Sequence, residues 1–162
     1  MKLYIKRDVS DAVSRFSVLD CDLKEKYRII GTKSCFGEKL IIPDRGKTPL
    51  LCISRVVLPF CDAFFVSAKN EGYRLTVTKS RGAMSCRFYG ISWRIRGDLI
   101  TKSYDILDAD NTVIATHIKR WSSSGFGCEL NIFDESRELF CIAAVTCINS
   151  IITAENTAAQ PL

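Results

Sequence analysis

Between Leu139 and Ile152 the chain carries fourteen residues, of which only Thr146, Asn149 and Ser150 are polar. Wound as a helix, this stretch puts Leu139, Phe140, Ile142, Val145, Ile148 and Ile151 on every side. A helix that is apolar all round has to be enclosed all round. Fourteen residues fall short of the roughly 20 that cross a bilayer, so the enclosure must be protein. Asp134 to Glu138 provide the start, with acidic groups suited to the positive end of a helix dipole and with Asp134 or Ser136 as cap. A buried helix is therefore expected over about 136–154, with 155–162 as a flexible tail.

Everything available to surround that helix alternates with period two. Phe16, Val18 and Asp20 face one way against Ser17 and Leu19, and Tyr73, Leu75 and Val77 alternate with Arg74, Thr76 and Thr78. Such alternation marks half-buried strands. Turn chemistry separates the runs, as at Asp44-Arg45-Gly46-Lys47, Asn70-Glu71-Gly72 and Asp108-Ala109-Asp110-Asn111. A pattern of large apolar residue, Val or Ile, then Asp recurs at Phe16–Asp20, Leu40–Asp44, Tyr104–Asp108 and Leu130–Asp134. The first two copies stand 24 residues apart, and a further step of 24 reaches Phe64 and Val66, with Ala68 in place of Asp. Partner apolar pairs follow at constant offset, at Tyr27 and Ile29, Leu51 and Ile53, and Leu75 and Val77. The repeat reads as tandem hairpins, each Asp closing its own turn.

Many antiparallel strands need their edges protected, and one apolar helix needs enclosure. Closing the sheet around the helix meets both needs. A helix with its side chains is about 10–12 Å across, and an eight-stranded barrel is already filled by its own side chains. The expected fold is thus mainly β: an antiparallel closed barrel of about twelve strands around a central apolar C-terminal α-helix, forming one domain over 1–154. A sandwich with the helix on one end is the competing layout. At 162 residues, 47% apolar and 25% charged, the chain is globular and large enough to need no staple.

Eight cysteines contain no C-x-x-C pair, and His117 is the only histidine. No zinc motif, phosphate-binding loop or nucleophile elbow is present. Ser122-Ser123-Ser124-Gly125 reads as a loop, and Gly97-Asp98 as a turn. Asp20, Asp44, Asp108 and Asp134 fall one per hairpin, too scattered for a calcium site. The expectation is no enzyme, no cofactor and no metal. The opening Met1–Lys6 shows no export signal, which points to reduced thiols and a cytoplasmic protein.

One segment has a wider resemblance. Trp93-Arg94-Ile95-Arg96-Gly97-Asp98, followed by Tyr104 and Ile106, resembles the W-x-I-x-G-D…Y-x-I segment of the LURP-one-related family. Lys119-Arg120-Trp121 leading to Cys128-Glu129-Leu130-Asn131-Ile132, the opening Leu3-Tyr4-Ile5-Lys6 and the terminal apolar helix are similar too. Cys128 departs from the pattern, standing where that family usually carries an aromatic residue. The family lies in the tubby C-terminal-like superfamily with the phospholipid scramblases. The resemblance covers residues 3 to 153 and implies a twelve-stranded barrel around a central helix. It also implies a largely uncharacterised family whose wider relatives bind phosphoinositides or associate with lipid.

A net charge of +5 and a pI near 8.8 suit an anionic surface better than they suit nucleic acid, for which no recognition helix is present. Arg94 and Arg96 share a strand face, Lys79 and Arg81 share another, and Lys119 and Arg120 lie on a third strand. These residues (Arg94, Arg96, Lys119, Arg120 and Lys79) are the candidate contacts for an anionic phospholipid headgroup such as a phosphoinositide, at the membrane periphery. The alternative is a protein-interaction scaffold using exposed Phe36, Phe60 or Phe65.

Overall fold

Period-two runs become strands, and the all-apolar run becomes a helix, in the computed structural model, which describes residues 1–8, 14–34, 37–46, 48–80, 82–122 and 125–158. The strands are β1 (Lys2–Arg7), β2 (Ser14–Leu19), β3 (Glu25–Ser34), β4 (Gly37–Ile42), β5 (Leu51–Val57) and β6 (Cys61–Ala68). They continue as β7 (Glu71–Ser80), β8 (Ala83–Tyr89), β9 (Arg94–Asp98), β10 (Ser103–Leu107), β11 (Val113–Ser122) and β12 (Gly125–Ile132). A 3-10 turn (Glu135–Arg137) then leads into α1 (Glu138–Ala158). Cys35, Phe36, Arg81, Ser123 and Ser124 lie outside the described residues.

One antiparallel ladder passes through all twelve strands, in the order β8-β7-β6-β5-β4-β3-β2-β1-β12-β11-β10-β9. The wall closes through β1 and β12, where Leu3 faces Leu130 and Ile5 faces Cys128. A single seam remains, between β8 and β9, which are the two ends of the ladder. The barrel is therefore closed except at that seam. Odd-numbered strands run toward one rim, here the upper, and even-numbered strands run toward the lower. The chain enters α1 from the lower rim, straight after β12.

The tandem hairpins are present, and their register is informative. Phe16 faces Ile29 and Val18 faces Tyr27, then Leu40 faces Ile53 and Ile42 faces Leu51. In the third unit Phe64 faces Leu75 rather than Val77, and Val66 faces Tyr73. The constant offset fails there by two residues. Ala68 pairs with Glu71 across a two-residue turn in which Lys69 takes φ 55°, whereas β4 and β5 are joined by a longer loop. Because the shift is two and not one, every side chain keeps its face.

The Asp residues act as turn closers. Asp20 Oδ1 accepts from the N–H groups of Asp22 and Lys24, both at 2.9 Å. Asp108 Oδ1 repeats this with Asp110 at 2.9 Å and Thr112 at 3.0 Å. Asp134 Oδ1 accepts from Ser136 N and Ser136 Oγ, which caps the 3-10 turn. That turn delays α1 to Glu138, two residues past the expected start. At its other end the helix runs on to Ala158, four residues into the expected tail, since nothing before Pro161 breaks it.

Within the barrel, Cys141 through Ile148 have no exposed surface on any side of α1. The helix is enclosed by inward rows such as Leu51 and Ile53, Leu75 and Val77, and Leu130 and Ile132. Tyr73 Oη donates to the Phe140 carbonyl at 3.0 Å and so ties the wall to the first turn of the helix. The rings of Tyr73, Phe88, Trp93 and Phe140 pack together there, with centroids 5.4–6.0 Å apart.

Candidate functional site

The five basic residues singled out in the sequence divide between two places. Arg94 lies at the lower end of β9 on the outer wall, where its Nη2 donates to Asn111 Oδ1 at 2.7 Å and to the Ala109 carbonyl at 3.2 Å. Arg96 bridges to Asp105 on β10 at 2.7 Å. Arg120 bridges to Glu129 at 3.1 Å. Burial opposes ionisation of the Glu129 carboxyl, but Asn131, Lys2 and Arg120 together hold it below the usual carboxylate range. These three arginines thus brace the wall. β10 separates β9 from β11, and Lys119 takes the parity of buried Ala115 and His117, so it does not join Arg94 and Arg96 in one outer patch.

Lys79 and Lys119 belong to a different grouping, at the upper rim. The inward row Leu3–Ile5 of β1 ends in Arg7, the row Tyr73–Leu75–Val77 of β7 ends in Lys79, and the row Ala115–His117 of β11 ends in Lys119. On β1, β7 and β11 the apolar lining gives way to a cation where the barrel opens, whereas the rows of β4 and β6 end there in Glu38 and Asp62. Arg55 holds the same position on β5, but there it bridges to Asp62 at 3.0 Å. Lys102, in the β9–β10 turn, adds a further cation and is only 6% exposed. Burial pulls its ammonium down to about 8, and the charges of Lys119 and Arg7 push the same way. Sequence reading missed Arg7 and Lys102. The signal for Arg7 was available by extending the period-two row to its last member. Lys102 was hidden, because only the tertiary fold brings its turn beside β11.

The same rim carries an apolar tip. Val57, Leu58 and Phe60, at the β5–β6 turn, are 70%, 46% and 86% exposed. Lys79 follows Thr78, the register partner of Cys61, so it stands beside this tip. The four turn-closing aspartates, Asp20, Asp44, Asp108 and Asp134, are all at the opposite rim.

Below the rim lies a buried polar group of residues. His117 Nδ1 contacts the Lys102 carbonyl at 3.0 Å, so Nδ1 carries the proton, and the ring stacks on Tyr104 with centroids 4.5 Å apart. Burial lowers the imidazole to about 4. Cys128 Sγ lies 3.6 Å from Asn149 Nδ2 and 3.7 Å from the Ile5 carbonyl, and burial pushes its thiol up to about 12. Cys86 and Cys141 are raised to about 12 by burial as well. Thiols held in the protonated form are poor nucleophiles at neutral pH, and an imidazole that titrates near 4 is a weak base. Among the described residues, no group of three or more His, Cys, Asp or Glu side chains converges, and no helix is long and apolar enough to cross a membrane.

The Trp93–Ile106 segment has a structural role. Trp93, Tyr104 and Ile106 are core residues. Gly97 takes φ 123° opposite Tyr104, where a Cβ would come within 2.6 Å of the Ser103 carbonyl oxygen. Asp98 Oδ1 accepts from Ile100 N at 2.8 Å and closes the turn.

Comparison with known proteins agrees with this architecture. A family model described as LURP-one-related matches residues 1–149. An uncharacterised Bacillus subtilis (strain 168) protein, YxjI, is 22% identical over 157 residues, covering 94% of each chain. The crystal structure of a protein from Arabidopsis thaliana superposes with a TM-score of 0.54 at 13% identity, covering 96% of this chain and 90% of that one.

Proposed function

The chain belongs to the LURP-one-related family, and on that premise we propose that it is a non-catalytic binding barrel that docks by its upper rim on anionic membrane lipid. The observation that carries this reading is the change in the inward rows, from apolar lining to Arg7, Lys79 and Lys119, on the rim that also presents Val57, Leu58 and Phe60. A phosphorylated or carboxylated headgroup at this rim would be attracted by Arg7, Lys79 and Lys119, and its negative charge would raise the Lys102 ammonium toward its ordinary range. Each basic residue near an anionic surface contributes about 1 kcal/mol, so Arg7, Lys79, Lys102 and Lys119 alone give weak, salt-sensitive contact. The apolar tip adds burial at the headgroup boundary that salt does not screen. The placement of the four turn aspartates at the far rim keeps them away from the surface.

Liposome co-sedimentation tests this reading. The purified protein is expected to pellet with vesicles containing phosphatidylserine or phosphoinositide, to stay in solution with phosphatidylcholine alone, and to be released as salt rises. Arg7→Glu combined with Lys79→Glu should abolish pelleting, and Phe60→Ser should weaken it at least several-fold. Arg94→Glu with Arg96→Glu should leave it nearly unchanged. No pelleting with anionic vesicles at low salt, or loss only in the Arg94/Arg96 variant, would remove the rim from consideration.

A further inference from the structure

Among the described residues the β8–β9 seam is where this barrel leaves strand edges unpaired, and we infer that it accepts an extended peptide segment alternating acidic and apolar residues, added as a further strand. β8 and β9 are consecutive in sequence and lie at the two ends of the ladder, yet no register joins them. Each therefore presents a row of backbone N–H and C=O groups without a sheet partner, and such groups call for an occupant that has a backbone of its own. The two sides of the seam specify that occupant's side chains. Inward, Met84, Cys86 and Ile95 are only partly buried, whereas the inward rows of β5 and β7 reach full burial at Leu51 and Leu75. Every second residue of a guest strand would complete that burial.

Outward, the strands beside the seam carry Arg74, Arg87 and Arg96, all exposed. Arg74 lies 4.2 Å over the Tyr89 ring. The Tyr89 phenol is held below its ordinary range, first by its hydrogen bond to Arg87. Arg96 is already bridged to Asp105 on β10, so Arg74 and Arg87 carry the charge that a guest strand would meet. The intervening residues of a guest strand therefore meet positive charge, and Glu or Asp fits there. β8 spans seven residues, which sets the useful length of the guest. Paired strands lie about 4.8 Å apart, so admitting one strand takes a gap of roughly 10 Å. Phe88 and Trp93 pack against each other at the lower end of the seam, with centroids 5.8 Å apart, so a guest strand would enter from the upper end, where β8 begins at Ala83 and β9 ends at Asp98.

This site is independent of the rim, and its test is separate. The probe is a blocked heptapeptide, Glu-Val-Glu-Val-Glu-Val-Glu, titrated into the intact protein, with binding read by anisotropy and location by amide exchange. Saturable binding that protects β8 and β9 amides is expected. Affinity should fall at least tenfold with Lys in place of Glu in the peptide, with the same residues in a blocked rather than alternating order, or with Arg87→Glu in the protein. Arg7→Glu should leave it unaltered. Equal binding of the reordered peptide, protection located elsewhere, or no binding at millimolar peptide would overturn the inference. So would β8 and β9 amides already protected by concentration-dependent dimerisation, since the occupant would then be a second copy of the chain.

Discussion

His117 shows how burial sets chemistry at the scale of one residue. Its ring is fully enclosed, stacked on Tyr104 and hydrogen-bonded to the Lys102 carbonyl. The folded imidazole titrates at about 4 against an ordinary 6.5. Between those values the unfolded chain binds a proton that the folded chain refuses. Stability is therefore greatest above pH 6.5, declines as pH falls toward 4, and levels off below it, with a total loss of up to about 3 kcal/mol. Because this is the only histidine in the chain, its imidazole resonance can be followed without assignment. A midpoint near 4 by NMR, together with urea midpoints that fall between pH 7 and pH 4, is the expected result. A midpoint near 6.5 would mean that the ring is solvated.

At the scale of elements, the turns decide where strands begin and end. The β2–β3 and β10–β11 turns share one geometry. Asp20 or Asp108 closes each turn, and the residue three places on takes a left-handed φ, 61° at Leu23 and 64° at Asn111. Asn tolerates that conformation, while Leu pays for it with a Cβ clash, and the exposed Leu23 side chain gains little in return. Leu23→Asn is expected to raise stability by roughly 1 kcal/mol, measured as a higher urea midpoint with unchanged slope. A lower midpoint would show that Leu23 packs in a way its exposure hides. The same logic explains Gly97, where the close approach of Ser103 and Tyr104 leaves no space for a side chain.

For the whole molecule, stability rests on a helix that touches no solvent over its central turns. Thr146 is fully buried in α1, and its hydroxyl has no hydrogen-bond partner. An unmatched buried hydroxyl costs about 1–3 kcal/mol, so Thr146→Val is expected to stabilise the barrel. Ile148→Ala, on the same helix, should destabilise it by about 2–5 kcal/mol through the cavity left behind. Thermal denaturation of the two variants distinguishes them by opposite shifts in Tm. If both lowered Tm, the Thr146 hydroxyl would have to be bonded to an internal water. Arg7, Lys79 and Lys119 end inward rows at one rim, where Asp98 also closes a turn, whereas Asp20, Asp44, Asp108 and Asp134 lie at the other.

Much of this architecture was legible in the order of the residues, because local physics sets it. An all-apolar helix demands enclosure, period-two rows demand strands, and Asp at a strand end closes its own turn. Those three facts, with the width of a helix and the number of period-two runs, favoured a barrel of about twelve strands around the helix over a sandwich, and the resemblance carried by Trp93 to Ile106 pointed the same way. The site was less legible. Arg94, Arg96 and Arg120 stand out as candidates in a line of letters, and only the fold shows which partners they have on the wall, once β10 and β12 are laid beside them. Arg7 and Lys102 look incidental until the closing of β1 on β12 and the approach of the β9–β10 turn to β11 set them near Lys119. The seam between β8 and β9 was invisible as well, since each strand alternates as its neighbours do. Side-chain periodicity is a property of one strand, whereas pairing, partner and charge environment depend on which strand comes to lie next to it, and only the closed fold decides that.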